Sequence, residues 1–478
     1  MQFNTEEAEV KKLLFFIICF TNFLYADPRL EFDQTALDDY VHSIDESYEY
    51  NLIKTVSGEG YKAYIVDLTS QSYLTKSEIN RTEWKHWLTI VRPDVIKHKT
   101  GMLVIGAGDN DGKVPSGPDQ LSIEYAKATN SVVASLGMVP NQPLTFVGEN
   151  KPRWEDAIIA YTWDKYLTTG EDKWPLRMAM TKSAVAAMDA IQSIINERED
   201  GIEIEKFVVS GASKRGWTTW TTGGVDNRVE AIIPVVIDVL NVEPSFEHHW
   251  SVYGFWAPAI QDYVDMEIMD WWGTKEMKSL FKLIDPFSAK ERFEMPKLLV
   301  NAAGDQFFIP TSSQFYFDEL PGEKYLRYVP NADHNVSEGT DALETILAFY
   351  ASILNKVPRP EFSWELKEDG SIEVLSEDAV KEVIMWTATN KKTRDFRKEV
   401  IGNSWLPKVL RQNEDSLYIA LPSKPAVGWK AYFVEMTYET PFGLDLKLTT
   451  PVRVSPDTLP FEYEEPKKLK EGFLSDIK

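Results

Sequence analysis

The chain has 478 residues, of which 43% are hydrophobic and 26% are charged, a balance typical of globular proteins and a length sufficient for two domains. Its formal net charge of −23 argues against nucleic acid or an anionic membrane surface as a partner, because both are also negatively charged. The only cysteine is Cys19, so a mature chain without that residue has neither a disulfide nor a thiolate metal site.

The first 26 residues have the pattern of a signal peptide. Lys11 and Lys12 precede an apolar run over residues 13–20, and Ala26 is a small residue at a suitable cleavage position. The apolar run is shorter than the ~20 residues that a membrane-spanning helix needs. We therefore expect residues 1–26 to be a signal peptide, no stable membrane span, and export to the periplasm or the extracellular space.

Strand and helix patterns alternate through residues 27–357, which predicts an α/β domain with a doubly wound sheet. In chain order, strands are expected at 61–74, 83–91, 101–105 and 130–136, and a helix at 178–195. The glycine-rich segment 106–112 follows the third of these strands. Such a loop can supply the backbone N–H groups of an oxyanion hole, and Asp109 and Asn110 are the candidates. It lacks the Lys-Ser/Thr pair of a phosphate-binding loop.

Residues 207–216 have the pattern of a nucleophile elbow. Four strand-forming residues lead into Gly211, Ala212 and Ser213, and a helical segment follows at 217–224. The usual pattern is G-x-S-x-G, whereas here the fifth place is Arg215 and the glycine comes one residue later. The alternative reading is a serine that only caps the helix.

Two further strands each end next to a residue of catalytic type. Asp305 follows the strand at 297–303, and His334 lies in the loop after the strand at 325–329, before a helix at 341–354. The order Ser213, Asp305, His334 is that of α/β-hydrolases. Taken singly, Asp305 could belong to an ordinary turn and His334 to a solvated loop.

The residues next to the candidate nucleophile have predicted roles as well. The backbone N–H of Lys214 is placed to donate to an oxyanion, together with the 106–112 loop. Arg215 could bind a substrate carboxylate, or it could form a salt bridge to a neighbouring helix.

The insertion at residues 238–296 is rich in aromatic and charged residues and is predicted to form a lid or pocket wall. Its candidate substrate-binding residues are His248, His249, Trp250 and Trp256. The two adjacent histidines could also indicate a metal, but no carboxylate lies at liganding spacing from them, so no metal site and no cofactor is predicted.

Pro358 and Pro360 mark a domain boundary, after which the pattern changes to short alternating strands at 371–374, 381–389, 416–421 and 430–438. We expect residues 358–455 to form an immunoglobulin-like or fibronectin-like β-sandwich that packs on the first domain and either braces the active-site rim or binds a partner. The proline-rich and charged tail, residues 456–478, is expected to be loose.

Several segments together resemble the PhoPQ-activated pathogenicity-related protein family. The resemblance covers roughly residues 45–455 and is carried by the segments 139–146, 153–157, 161–166, 174–177, 180–183, 211–217, 248–250 and 254–258. It implies an exported protein with an α/β-hydrolase-like fold and a poorly defined substrate, in a family with one branch described as autocrine proliferation repressors.

Two functional hypotheses follow. In the first, the protein is a serine hydrolase acting on an ester or amide of a small molecule or peptide, with Ser213 attacking, His334 as general base and Asp305 orienting the histidine. In the second, it is a secreted, non-catalytic signalling or virulence-related binding protein on a hydrolase scaffold. The three residues in this order favour the enzyme.

Overall fold

The protein is built around one large mixed sheet, seen in a computed structural model that describes residues 32, 34–199, 201–413, 417–466 and 468–475. The predicted signal peptide lies outside these residues. The strands of the amino-terminal part are β1 (Glu49–Gly58), β2 (Tyr61–Ser72), β3 (Glu83–Pro93), β4 (Thr100–Ile105), β5 (Val133–Leu136), β6 (Lys206–Ala212), β7 (Val229–Val235), β8 (Lys297–Ala302) and β9 (Lys324–Val329).

These strands are arranged in the order β1-β2-β3-β5-β4-β6-β7-β8-β9. The pairs from β1 to β5 in this order are antiparallel, and those from β5 to β9 are parallel. The strand order changes direction at β4, which lies between β5 and β6. In open α/β sheets, ligands bind at the carboxyl ends of the strands next to such a change of direction. Ile105 at the end of β4 is in register with Gly211 near the end of β6, so the glycine-rich loop emerges beside the serine.

Helices cover both faces of the sheet. They are α1 (Ala36–His42), α2 (Gln120–Thr129), α3 (Glu155–Thr169), α4 (Leu176–Arg198), α5 (Lys214–Val225), α6 (Val242–Tyr253), α7 (Gln261–Asp265), α8 (Lys275–Ile284), α9 (Ala342–Leu354) and α10 (Lys398–Ile401). One apolar core contains buried residues of α1, α3, α4 and α5, and a second contains those of α2 and α9. None of the helices in the described parts of the chain is long and apolar enough to cross a membrane.

The carboxy-terminal region consists of two antiparallel sheets that share a core. Its strands are β10 (Phe362–Leu366), β11 (Ile372–Ser376), β12 (Glu382–Asn390), β13 (Leu406–Val409), β14 (Tyr418–Ala420), β15 (Trp429–Glu439), β16 (Asp445–Thr449) and β17 (Arg453–Ser455). One sheet has the order β10-β11-β14, and the other contains β16, β15, β12 and β13, with β17 also paired to β15. The predicted α/β fold, with a doubly wound sheet followed by a carboxy-terminal β-sandwich, is confirmed.

The two parts share one sheet, because β16 pairs with β9 through Thr449 and Leu326. Fourteen strands are thereby joined. A buried ion pair crosses the same junction: Arg327 on β9 bonds to Glu435 on β15, and its other terminal nitrogen lies 2.6 Å from Asp341 at the start of α9. The β-sandwich therefore packs against the first domain through backbone and charge contacts, as predicted from the short connection.

The described part of the tail differs from the loose segment predicted at 456–478. The backbone N–H of Phe461 donates to the carbonyl oxygen of Ser251 on α6 at 3.1 Å. The ring of Phe473 lies 5.6 Å from that of Tyr166 on α3. Aromatic side chains within an otherwise charged segment provide enough apolar surface to hold it against the body of the protein.

Replacing Glu435 with Gln removes one partner of the buried ion pair and leaves the Arg327 guanidinium incompletely compensated. We expect a loss of about 3 kcal/mol in the free energy of unfolding, as for other broken buried pairs. Denaturant titration measures this. Glu439→Gln is the control, because Glu439 is on the same strand, is exposed and lies 3.7 Å from Lys381; its effect should stay below about 0.5 kcal/mol. Equal effects of the two substitutions would contradict a junction held by the buried pair.

Candidate active site

Ser213 occupies the sharp turn between β6 and α5 in a strained backbone conformation, with φ 59° and ψ −126°. Non-glycine residues rarely adopt a positive φ, and such strain persists only where the surroundings impose it. Here the Ser213 N–H donates to the carbonyl of Val235 on β7 at 2.8 Å, and the Ser213 carbonyl accepts from the N–H of Trp217 at 3.0 Å. The predicted strand–serine–helix turn is therefore present.

The two glycines of the elbow are required by space. A Cβ on Gly211 would lie 2.6 Å from the carbonyl oxygen of Arg215, and one on Gly216 would lie 3.0 Å from the carbonyl oxygens of Gly211 and Val235. Real Cβ atoms do not approach backbone oxygens this closely. The fifth place of the elbow tolerates Arg215 because its side chain is directed to the carbonyl oxygen of Val139, at 2.5 Å.

His334 and Asp305 form a hydrogen-bonded pair at the carboxyl ends of β9 and β8. The Nδ1 atom of His334 lies 2.9 and 3.0 Å from the two carboxylate oxygens of Asp305. Asp305 is only 2% exposed and also accepts hydrogen bonds from the backbone N–H groups of Phe307 and Phe308. A carboxylate at Nδ1 keeps the proton on that nitrogen and leaves a lone pair on Nε2, the state that a general base needs.

The loops that carry these two residues are held by the β-sandwich region. The backbone N–H of Lys398 donates to the carbonyl of Gly304, beside Asp305, at 2.9 Å. In the histidine loop, the side chain of Asn331 makes two hydrogen bonds to the backbone of Trp405, at 2.9 and 3.0 Å. The carboxy-terminal region thus contacts both loops that carry the acid–histidine pair.

Ser213 borders a cavity of about 50 Å³ whose wall is mainly apolar and aromatic. The insertion predicted as a lid or pocket wall supplies half of this wall, through Val239, Val242, Phe246, Ile260, Tyr263, Ile268, Met269 and Trp272. His334 lies in an adjoining open cleft, and Phe307 borders both spaces. Within the described part of the chain, Ser213 Oγ has no hydrogen-bond partner.

The predicted oxyanion donors differ in their availability. The backbone N–H of Lys214, the first residue of α5, and that of Asp109 donate to no partner among the described residues. The N–H of Asn110 is already donated to the carbonyl of Gln142 at 2.5 Å. Gln142 also bonds to the carbonyl of Gly108, so it holds the glycine-rich loop in place.

A network of ion pairs surrounds the elbow. Lys214 Nζ lies 2.8 Å from Glu155 and 3.0 Å from Asp156, and Arg215 lies 2.6 Å from Glu155. Burial alone would raise the pKa of Glu155, but Arg215 and Lys214 outweigh it and lower that pKa to about 2. Of the two alternatives for Arg215, the structure contains the salt bridge to a neighbouring helix, α3.

The two predicted substrate-binding histidines of the insertion are buried and bonded to other parts of the protein. His248 Nε2 lies 2.9 Å from Thr311 Oγ1, and His249 Nε2 accepts the N–H of Ala257. Burial lowers the pKa of His248 to about 4 and that of His249 to about 3, so both are neutral at pH 7.

The other two predicted substrate-binding residues are the tryptophans of the same insertion. Trp250 and Trp256 contact each other with ring centroids 5.1 Å apart, whereas Phe246 of the same helix, α6, lines the cavity. Among the described residues, no group of three His, Cys, Asp or Glu side chains is placed to hold a metal ion.

Outside the predicted insertion, seven cavity residues were not predicted from the sequence: Asp156, Trp163, Arg177, Trp217, Ile237, Phe307 and Phe308. The two phenylalanines directly follow Asp305 and Gln306, so their position after a strand could have indicated them. Asp156 and Arg177 lie on α3 and α4, in segments that carried the family resemblance but were given no role.

Sequence comparison agrees with the motifs that the structure brings together. A profile of the PhoPQ-activated pathogenicity-related protein family matches residues 37–397. The chain belongs to this family. One relative is the autocrine proliferation repressor protein A of Dictyostelium discoideum, which is 36% identical over 455 residues, spanning 89% of this chain and 92% of the relative.

Solved structures with a related arrangement include two acetyl xylan esterases. The one from Thermoanaerobacterium sp. is 15% identical, with a TM-score of 0.47, and the match covers 67% of this chain and 92% of that one. The one from Paenibacillus sp. R4 is 12% identical, also with a TM-score of 0.47, and covers 66% and 92%.

The ion pairs of Glu155 give a pH dependence with a definite sign. Because its pKa is lower in the folded than in the unfolded chain, it contributes stability above pH ~4.5, and this contribution is lost as the pH falls towards 2. Glu155→Gln should therefore flatten the decline in unfolding free energy over that range. Chemical denaturation at a series of pH values measures it. Glu59→Gln, at an exposed carboxylate, should leave the decline unchanged, and an unchanged decline in Glu155→Gln would contradict the assignment.

Proposed function

We propose that this protein is a serine hydrolase that cleaves an ester or an amide, with Ser213 as nucleophile, His334 as general base and Asp305 as the residue that orients the histidine. The observation that carries the proposal is the strained conformation of Ser213, with φ 59° and ψ −126°, at a strand–helix turn. A serine that only capped a helix would have an extended backbone and a side chain bonded to that helix. Ser213 makes no such cap bond.

The proposed reaction begins when Ser213 Oγ attacks the carbonyl carbon of the substrate and His334 Nε2 takes the hydroxyl proton. The carbonyl oxygen becomes an oxyanion, which accepts hydrogen bonds from the N–H of Lys214 and from the 106–112 loop, where the N–H of Asp109 donates to no partner among the described residues. The tetrahedral intermediate collapses, the carbon–leaving-group bond breaks, and His334 returns the proton to the leaving group. Water then hydrolyses the acyl-serine by the same steps.

The size of the cavity limits the substrate. A cavity of about 50 Å³ next to Ser213 favours a short acyl group over a long fatty acyl chain. The leaving group would lie in the open cleft beside His334, which places no comparable limit on its size.

Export is part of the proposal. It is supported by the basic residues, apolar run and small residue within 1–26. The destination is the periplasm or the extracellular space.

A second candidate function is a secreted, non-catalytic signalling activity. It is favoured by one observation, the name of the Dictyostelium relative, a proliferation repressor at 36% identity over most of both chains. Such a protein would use its surface and would not need Ser213 to react.

A fluorophosphonate probe distinguishes the two candidates. We expect wild-type protein to form an adduct on Ser213, identified by peptide mass spectrometry. Ser213→Ala should form none, and His334→Ala should react at least about 10³-fold more slowly because nothing removes the hydroxyl proton.

The control for this experiment is Ser210→Ala. Ser210 is buried on the same strand, where its hydroxyl donates to the carbonyl of Ile233, so its removal should leave labelling intact. No labelling of the folded wild-type protein, or equal labelling of Ser213→Ala, would exclude the proposed enzyme.

The contact between the histidine loop and the β-sandwich should affect rate. Asn331→Ala removes both hydrogen bonds to Trp405, so we expect labelling to slow by about tenfold as His334 loses its fixed position. Asn403→Ala, at an exposed position close to Trp405 in the chain, serves as the control and should label at the wild-type rate. Unchanged labelling of Asn331→Ala would show that the β-sandwich does not position the base.

A further inference from the structure

Arg177 is a buried cation in the wall of the cavity next to Ser213. It lies in the first turn of α4, is 3% exposed, and borders the same space as the serine. Its Nη1 donates to the carbonyl oxygen of Lys214 at 2.9 Å, and its guanidinium lies 4.3 Å from the ring centroid of Trp217. Both contacts orient the side chain, but neither carries a negative charge.

The guanidinium has an unused donor. Arg177 Nε is buried and has no hydrogen-bond partner, and no carboxylate among the described residues lies within ion-pair distance of Arg177. An arginine does not lose its charge in a protein, so the cation remains in a site shielded from water. Buried charges are normally paired, because leaving one unpaired is costly.

Neighbouring carboxylates are already occupied by other cations. Glu155 pairs with Lys214 and Arg215, and Asp156 pairs with Lys214 and accepts the hydroxyl of Tyr263 at 3.0 Å. Both carboxylates are thus engaged by other groups, and neither is within ion-pair distance of Arg177. Burial lowers the pKa of Arg177, and Tyr263 and Asp156 oppose this shift only in part.

We propose that Arg177 binds a carboxylate carried by the substrate, so that the preferred substrate is an ester or amide with a short, anionic acyl group. This inference deepens the hydrolase function proposed above. The remaining wall, with Trp163, Phe246, Met269 and Trp272, suits the methylene groups of such a chain. A planar carboxylate matches the geometry of a guanidinium with a free Nε–H.

The first experiment compares esters with the same leaving group and nearly the same acyl size. p-Nitrophenyl hemisuccinate and hemiglutarate carry a carboxylate, and p-nitrophenyl butyrate and valerate do not. For wild-type protein we expect kcat/KM to be at least about tenfold higher for the anionic esters. In Arg177→Met this preference should disappear or reverse, while Arg177→Lys should retain part of it.

The quantity compared is the ratio of kcat/KM for the anionic esters to that for the neutral esters. This ratio stays informative if the substitution disturbs the elbow, because a general loss of activity lowers the rates for all four esters. Arg153→Met is the matched control. Arg153 is also largely buried but pairs with Glu149 outside the cavity, so its removal should leave the preference unchanged. Ester hydrolysis without a preference for the anionic acyl groups would overturn the inference and leave the hydrolase proposal standing.

The second experiment does not depend on catalysis. Binding of glutarate to Ser213→Ala is measured by calorimetry and compared with the double variant Ser213→Ala/Arg177→Met. We expect binding only when Arg177 is present. Glutarate binding without any ester hydrolysis by the wild type would support the carboxylate site and contradict the proposed activity, whereas absence of binding would overturn the carboxylate site.

Discussion

A side chain at Gly211 would place its Cβ 2.6 Å from the carbonyl oxygen of Arg215, and this lack of space shapes the rest of the site. Strand β6 and helix α5 can meet so closely only if the residue between them takes an unusual conformation, which Ser213 does. Such a conformation costs about 1–3 kcal/mol, and surrounding contacts must maintain it. Lys214 and Arg215 provide many of these contacts by binding the elbow to α3 through Glu155 and Asp156.

The same network explains how Ser213 and a buried cation can border one small cavity. Arg177 donates to the carbonyl of Lys214, so it helps to fix the elbow while its Nε stays free. Lys214 has two roles, since its side chain completes the ion pairs and its backbone N–H faces no other acceptor in the described chain. Structural support and candidate chemistry are thus combined in a few adjacent residues.

The β-sandwich belongs to the site as well as to the fold. One of its two sheets is continuous with the sheet of the amino-terminal part, and the region contacts both loops that carry Asp305 and His334, at Gly304 and Asn331. Of the two roles predicted from the sequence, bracing of the active-site rim agrees with these contacts.

Local patterns made the elbow, Asp305 and His334 predictable, because each directly follows a strand whose apolar residues are contiguous in the sequence. The interior strands β2 to β9 were predictable for the same reason, apart from their ends. Strand β1 was missed because it is an edge strand with alternating partial exposure and little apolar character. The occupied N–H of Asn110 depends on Gln142, 32 residues away, which no local pattern reveals.

The remaining differences between the sequence-based predictions and the structure result from side-chain packing. His248 and His249 are on the cavity-lining helix, but its Phe246 is the residue that faces the cavity, and one-residue steps on a helix change the direction of a side chain by about 100°. In the tail, the composition indicated a loose segment, whereas Phe473 packs against α3. The free Nε of Arg177 could not be foreseen, because it depends on which cations the nearby carboxylates already bind.

The most direct test of the account is a crystal structure of the protein after reaction with a fluorophosphonate. The account predicts a bond from phosphorus to Ser213 Oγ, with the phosphonyl oxygen about 2.9 Å from the backbone nitrogen of Lys214 and His334 Nε2 within hydrogen-bond distance of the adduct. An adduct on another residue, or a phosphonyl oxygen directed away from Lys214, would contradict it.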